Sequence, residues 1–200
     1  MSRILDHARQ ELDEVGPVKF NIMRVIEESG VSKSSVYHHF GGRDGVISAV
    51  EVQRLIDERM ANNALLAQIL ASVSSGEECL DVIEAGLRAA SNVAGRKNRS
   101  HRIAVVAAAQ HIPVLTESLA QESRIADIAL TEMLNGARDR GLINPTESVE
   151  DIARYMATMF IGRSALDTFE SEEFDAAWIR MSMGVLRGFL QPSPSKKSEN

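Results

Sequence analysis

The chain has 200 residues, 44% of them hydrophobic, and a formal net charge of −6. This composition supplies a core for one or two domains, while the acidic balance argues against a protein that is basic over its whole surface, as one that coats nucleic acid would be. The single cysteine, the absence of a signal-peptide pattern and the lack of any apolar run near 18 residues predict a cytoplasmic protein without membrane contact.

The N-terminal residues predict three short helices separated by glycine-containing turns. The first helix ends at Gly16-Pro17, because glycine suits a helix C-terminus and proline cannot continue the helix. Asn21 is a suitable N-cap for a second helix, which Gly30 ends, and Ser32 can cap a short third helix. The segment "GGRDG" then breaks the chain, and a longer helix starts near Asp44.

Beyond residue 59 the pattern changes to longer helices with apolar stripes. The basic segment "AGRKNRSHR" predicts a loop, and Ile103–Ala109 after it predicts a buried helix. Pro113 suits a helix N-terminus, and Ser148 with an acidic residue three positions later resembles a capping box that opens a helix through Phe169. The last helix is predicted over residues 172–190.

These patterns together predict an all-α protein of about nine or ten helices. We expect an N-terminal three-helix domain over residues 1–48 and a larger helical domain over residues 49–190. The remaining residues, 191–200, are rich in Pro and Ser and predict a disordered tail.

The third helix combines one apolar stripe with a polar outer side. At 100° per residue, Val36 and Phe40 lie together, and Val31 joins them from the turn. The other side chains can donate or accept hydrogen bonds, and they are Lys33, Ser34, Ser35, Tyr37, His38 and His39. Two short helices joined by a glycine turn, the second polar on its outside, form a helix-turn-helix whose second helix enters the major groove of DNA.

The segment "IEESGVSKSSVYHHFGGRDGVISAV" resembles the DNA-binding head of the tetracycline-repressor (TetR) family of transcriptional regulators. The resemblance extends over roughly Arg3 to Val50, and "GARDRGLINP" followed by "SVEDIARYMATMFIG" is similar to a later junction in that family. Two residues depart from the pattern: Ile26 replaces a small Ala, and Met23 stands where a polar or basic residue is common.

The resemblance implies that residues 1–48 form a helix-turn-helix DNA-binding domain and residues 49–190 a helical ligand-binding and dimerisation domain. It also implies a role for each matching residue. The groove-facing set would be Lys33, Ser34, Ser35, Tyr37, His38 and His39. Arg43 stands where the family has a phosphate-binding Lys, and Asn21 matches a position that contacts the DNA backbone. The adjacent His38 and His39 point about 100° apart without a third ligand nearby, so we predict no metal site and no cofactor.

The helical body offers candidate residues for a ligand pocket and for a dimer interface. An apolar pocket would be lined by Met133, Met156, Met159, Ile103 and Val106, although methionine at helical spacing is also common in plain core. The last helix carries apolar residues around much of its circumference and therefore needs partners on two sides. The stripe Trp178, Met181, Val185 and Phe189 is the candidate for contact with a second copy, and the family resemblance implies a four-helix interface there.

We therefore expect a homodimeric regulator that represses transcription at palindromic DNA operators and is released by a small apolar effector. Two alternatives remain open: an α-helical enzyme or small-molecule-binding protein with a vestigial head, and a dimeric regulator that binds no ligand. The sequence has no Gly-rich phosphate loop, metal-ligand spacing or nucleophile-base pair, so we predict that the protein is not an enzyme.

Overall fold

The computed structural model describes residues 2–92, 95–166 and 171–193. These residues form α-helices and no β-strand, apart from one isolated antiparallel bridge between Ile143 and Pro192. The helices in chain order are α1 (Ser2–Lys19), α2 (Ile22–Ser29), α3 (Lys33–Phe40), α4 (Arg43–Ser72), α5 (Gly76–Ser91), α6 (Arg96–Ala109), α7 (Pro113–Asp139), α8 (Val149–Ala165) and α9 (Glu172–Leu190). The all-α prediction is confirmed. Within the described ranges, no helix is both long and apolar enough to cross a membrane.

The capping residues predicted for α2 and α3 act as expected. Asn21 Oδ1 accepts a hydrogen bond from the Met23 N–H at 3.0 Å, and Ser32 Oγ accepts one from the Ser35 N–H at 3.2 Å. Gly30 ends α2 with φ 65°, ψ 16°, a left-handed conformation that costs glycine little because it has no Cβ. These local bonds satisfy backbone groups that a helix end leaves unpaired.

The predicted end of the first helix is a break followed by one further turn. Gly16 has φ 70°, ψ 171°, and the helix resumes at Pro17 and runs to Lys19. Proline fits this restart because the first position of a helix needs no N–H donor. The short turn after the break leads directly into the N-cap of α2.

The chain forms two compact units. Unit 1 contains the described residues up to Met60 together with His101–Arg124, and unit 2 contains Ala61–Ser100 and the described residues from Ile125 onward. The helices α4, α6 and α7 each contribute residues to both units. The domain boundary predicted at residues 48–49 stays a prediction, since these units group residues by compactness alone.

The core of unit 1 joins the first three helices to segments of α4, α6 and α7. Ile4, Ala8 and Leu12 of α1 pack with Val25 of α2 and Val36 of α3 in one buried cluster. The same cluster includes buried residues from the later helices: Val46, Ile47, Val50, Val105, Ala108, Ala109, Ile112 and Leu115. A head of three short helices thus obtains part of its hydrophobic support from residues that are more than 50 positions away in the sequence.

Polar groups also tie α1, α4 and α6 together inside unit 1. Arg54 of α4 donates to Asp13 Oδ1 at 2.8 Å and to the carbonyl oxygen of Arg9 at 2.8 Å. Glu51, only 1% exposed, lies 2.6 Å from His101 through their Oε2 and Nε2 atoms. His101 therefore has a partner inside unit 1.

Unit 2 has its own core. Leu80 and Leu87 of α5 pack with Ile152 and Met156 of α8 and with Leu186 of α9, among other buried residues. Between α5 and α9, Arg187 Nη1 and Nη2 donate to Glu77 Oε1 and Oε2, each at 2.7 Å. Hydrophobic burial provides most of the stabilisation, and the exposed ion pair adds little.

The structure corrects the prediction of a basic loop before Ile103. Helix α6 begins at Arg96, so most of "GRKNRSHR" is helical. Arg99 accounts for this: its guanidinium is buried and Nη1 donates to the carbonyl oxygens of Ala90 at 2.6 Å and Asn92 at 2.9 Å. The residues Ile103–Ala109 also differ from a wholly buried helix, because Val106 is 39% exposed.

Two predicted boundaries near the C-terminus change as well. Gln191, Pro192 and Ser193 were expected in a disordered tail, but the Ser193 N–H donates to the Leu142 carbonyl at 2.8 Å beside the Ile143–Pro192 bridge. Backbone pairing with another segment orders these three residues, and it leaves no local signature in a Pro/Ser-rich sequence. The predicted continuation of the eighth helix to Phe169 is wrong, because α8 ends at Ala165 with Leu166 as its C-cap. The rest of the predicted tail, residues 194–200, lies outside the described residues.

Candidate nucleic-acid interface

Helix α3 is anchored by the apolar stripe that its sequence predicted. Val36 is 1% exposed, and Val31 and Phe40 pack partly buried against the same core. Full burial of a valine side chain contributes about 1.5–3 kcal/mol, enough to hold an eight-residue helix that would not form alone. The anchor fixes which side of α3 points outward.

Opposite this anchor lies a polar surface that we call the α3 outer face. It consists of Lys33, Ser34, Ser35, Tyr37, His38 and His39, of which all are exposed except the partly buried Ser35. Every member of the predicted groove-facing set thus lies on one short helix with access to solvent. Their contact with DNA stays a prediction.

Contacts within the α3 outer face arrange several of its side chains. Lys33 Nζ lies 5.5 Å from the centre of the Tyr37 ring, within the range of a cation–π contact. The Tyr37 ring also rests against Gly42, where an added Cβ would be 3.4 Å from Cε1. His38 and His39 meet edge to face with their ring centres 5.1 Å apart. The face therefore offers a cation, hydroxyl groups and imidazoles to a partner.

Asn21 uses its side-chain oxygen to cap α2 and leaves its side-chain N–H groups exposed. Its side-chain oxygen is used by α2, and its backbone N–H donates to Glu11 Oε1 at 3.3 Å. The residue is exposed, and its Nδ2 group makes no hydrogen bond to the described residues. That amide is the part of Asn21 that could donate to a phosphate.

Arg43 differs most from its expected surroundings. Its Nη2 donates to the carbonyl oxygens of Pro17 at 2.6 Å and Val18 at 3.3 Å. Its Nε donates to the carbonyl oxygen of Phe20 at 3.2 Å, and Nη1 lies 2.9 Å from Asp44 Oδ1. The guanidinium expected to bind a phosphate is therefore engaged inside the protein.

Arg24, which follows Met23, is also engaged in ion pairs within the protein. Arg24 lies within 3.1 Å of carboxylate oxygens of Glu11, Glu14 and Glu28. The hydrogen bond from Arg24 is the main cause that lowers the pKa of Glu14 below its ordinary value. Arg24 thus offsets acidic charge of α1 and α2.

Two lysines of this region keep their charge available. Lys19 and Lys33 are exposed and form no ion pair within the part of the chain that the structure describes. A patch with few uncommitted cations is consistent with the slightly acidic total charge of residues 1–45, where 6 basic and 7 acidic side chains give 6 − 7 = −1. The location of the cations matters more here than their total number.

Gly45 positions the end of α3 against the start of α4, and the sequence pattern did not predict this role. A Cβ at this site would lie 1.7 Å from the carbonyl oxygen of Phe40, so the backbones at the end of α3 and the start of α4 approach too closely for a side chain. The glycine-rich segment "GGRDG" signalled a break in the chain. It did not signal which of its glycines is required by a close approach.

The candidate pocket residues fall in both units. Ile103 and Val106 belong to unit 1, and Met133, Met156 and Met159 belong to unit 2. Met156 is buried, and Met133 and Met159 are partly buried. The ligand pocket stays a prediction.

The candidate dimer residues differ in how much of each is covered by unit 2 itself. The buried side of α9 is formed by Ile179, Leu186 and Leu190, and Trp178 and Phe189 also pack partly buried against the unit 2 core. Met181 is 66% exposed, while Trp178, Val185 and Phe189 are partly buried.

Comparison with known proteins first identifies the N-terminal residues. Residues 4–50 match the family model described as bacterial regulatory proteins, tetR family. The HTH-type transcriptional regulator BetI 2 of Chromohalobacter salexigens is 41% identical over 46 residues. That match covers 23% of this chain and spans 22% of the length of the curated relative.

Solved structures extend the likeness to nearly the whole chain. GusR of Salmonella enterica superposes with a TM-score of 0.67 at 21% identity, covering 93% of this chain and 94% of its own. A TetR transcription regulator from Haloarcula marismortui gives a TM-score of 0.67 at 17% identity, covering 95% and 97% respectively. At such low identity these likenesses show the fold, with an N-terminal helix-turn-helix and a larger helical part.

Proposed function

We propose that this chain, which belongs to the tetR family of bacterial regulatory proteins, regulates transcription by placing α3 in the major groove of double-stranded DNA. The observation that carries the proposal is the combination of a buried Val36 anchor with a solvent-facing α3 outer face. A helix whose apolar side is buried in the core and whose polar side faces solvent is suited to recognition of base edges.

Each residue of the α3 outer face has a proposed task. Lys33 and Tyr37 contact phosphates, which position the protein without reading sequence. Ser34, Ser35 and His38 reach base edges, with His39 at the border of the face. Asn21 donates its free amide to the DNA backbone.

The few uncommitted cations limit the electrostatic part of binding. If Lys19 and Lys33 each neutralise one phosphate, the slope of log K against log salt is about −1.8 per head, from roughly −0.9 per contact. Two heads would give about −3.6. This value is well below that of strongly basic DNA-binding proteins, so specificity depends more on base contacts.

The proposed assembly is a homodimer on a palindromic operator. One eight-residue helix reads few base pairs, whereas two copies about 34–36 Å apart read successive major grooves. The exposed Met181 with its partly buried neighbours on α9 supports a second copy packing there. We propose that the interface includes Trp178, Met181, Val185 and Phe189.

The proposed regulation is repression that a small apolar effector relieves. The effector would bind in unit 2, beside Met133, Met156 and Met159. It can shift the protein between DNA-binding and released states only by its difference in affinity for the two. Thermal unfolding in the presence of a library of small apolar compounds tests for such a ligand, because binding to the native state raises the melting temperature.

Selection of bound duplexes from a random pool tests the proposed DNA binding. We expect enriched palindromes whose half-sites are one helical turn apart. Lys33→Ala should weaken binding to selected and random duplexes alike, and His38→Ala should change sequence preference. A pool without enrichment, or two variants that both bind as the wild type does, would contradict the proposal.

A further inference from the structure

The guanidinium of Arg43 connects the start of α4 to the turn between α1 and α2. Its three carbonyl partners, on Pro17, Val18 and Phe20, come from one four-residue segment. The guanidinium also lies 6.0 Å from the centre of the Phe20 ring, and that ring is buried in the unit 1 core. We call the segment Pro17–Phe20 the α1–α2 turn.

The α1–α2 turn needs such a partner because of its backbone. Gly16 interrupts α1, and the single turn that follows ends with carbonyl groups that have no next helical turn to accept from. Cations stabilise such a helix C-terminus. The planar fork of arginine can donate to several carbonyls at once, which a lysine ammonium cannot match with the same fixed geometry.

The α1–α2 turn also carries groups of the proposed DNA interface. It contains the exposed Lys19 and leads directly into Asn21, the N-cap of α2. Arg43 itself lies three residues beyond Phe40, the last residue of α3. Its hydrogen bonds therefore fix the start of α2 relative to the end of α3.

From this geometry we infer that Arg43 is a positioning residue for DNA binding, which holds Lys19 and Asn21 in register with the α3 outer face. The inference rests on the proposed DNA-binding function. A phosphate contact by Arg43 would have to compete with three carbonyl acceptors and with Asp44, whose carboxylate already offsets its charge. Only 36% of the Arg43 side chain is exposed.

Replacement by lysine separates positioning from phosphate binding. Lysine keeps the charge but does not have the fork, so Arg43→Lys and Arg43→Ala should both weaken binding of a duplex selected by the wild type, each by about tenfold. The slope of log K against log salt should be equal in the two variants, because both lose the positioning of Lys19 and the charge that only Arg43→Ala also loses neutralises no phosphate. Lys33→Gln is the reference, and it should reduce the slope by about 0.9 for each phosphate that the variant no longer neutralises.

Two further measurements distinguish positioning from a general decrease in stability. Without DNA, hydrogen exchange of the Asn21, Met23 and Arg24 amides should accelerate in Arg43→Lys, since these amides lie at the start of α2. Arg54→Lys is the matched control, because Arg54 also donates to a carbonyl of α1 but not to the α1–α2 turn. It should bind the duplex as the wild type does.

The inference is overturned if Arg43→Lys binds as the wild type does, or if the salt slope falls by about 0.9 in Arg43→Ala while Arg43→Lys keeps it. Unchanged exchange of the three amides would also overturn it. If the wild type selects no duplex at all, the proposed function fails instead, and the role of Arg43 in DNA binding fails with it.

Discussion

The close approach of Gly45 to Phe40 makes Gly45→Ala a sharp test of how α3 is held. The added Cβ would lie 1.7 Å from the Phe40 carbonyl oxygen and 2.8 Å from its carbonyl carbon. Ordinary contact begins at 3.4 Å, so the two backbones must separate by 3.4 − 1.7 = 1.7 Å along that direction. Both groups are main chain, and no rotamer change can relieve the overlap.

We expect Gly45→Ala to lower the free energy of unfolding by about 2 kcal/mol. Overpacking costs typically about 1–3 kcal/mol, and a backbone clash belongs at the upper end of that range. Alanine in a helix recovers roughly 0.5–1 kcal/mol relative to glycine, which offsets part of the destabilisation. The end of α3 should also shift, so DNA binding should weaken in the same variant.

Urea unfolding followed by circular dichroism, at one fixed protein concentration, measures the change. Gly86→Ala is the matched control, because an added Cβ at Gly86 in α5 meets no atom within 4 Å. That variant should gain roughly 0.5–1 kcal/mol. If Gly45→Ala is as stable as Gly86→Ala, the close approach does not constrain the α3–α4 junction and the reasoning is refuted.

Three other outcomes follow from the body of the chain. The hydrogen bonds from Arg187 are the main cause that holds the pKa of Glu77 below its ordinary value of 4.5. Stability from this pair is therefore complete above pH 4.5 and is lost as the pH falls through the lowered folded-state pKa, so melting temperatures of wild type and Glu77→Gln should converge in acid; a difference that stays constant with pH would contradict this. Burial raises the pKa of the Cys79 thiol, so iodoacetamide should label native protein at least about tenfold more slowly than urea-unfolded protein, and equal rates would refute its burial. Met181→Lys should shift light-scattering mass from dimer to monomer, whereas the neighbouring exposed Arg180→Lys should not; a dimeric Met181→Lys protein would place the interface elsewhere.

The sequence alone predicts the helical framework because its signals are local. Caps at Asn21, Ser32 and Ser148 and a stop at Gly30 act within a few residues of where they stand. The apolar spacing on α3 likewise predicts which side is buried, since a helix has a fixed period. For these features the structure agrees with the sequence reading.

Predictions from the sequence are wrong where a residue's structure depends on a partner distant in the chain. The basic composition of residues 96–102 predicts a loop. In the structure these residues are helical, and Arg99 donates hydrogen bonds to the carbonyl oxygens of Ala90 and Asn92. Ser193 is ordered by a backbone hydrogen bond to Leu142, which lies far earlier in the sequence. Such pairing depends on the path of the whole chain and leaves no local pattern.

The candidate interface shows the same division. Which side chains of α3 face outward follows from a period of 3.6 residues and one buried valine. What Arg43 does follows only from its position relative to Pro17, Val18 and Phe20, 23 to 26 residues earlier. The sequence shows that a side chain is charged but does not show which group it contacts. Only the tertiary structure places carbonyl oxygens of the same chain within hydrogen-bond distance of Arg43.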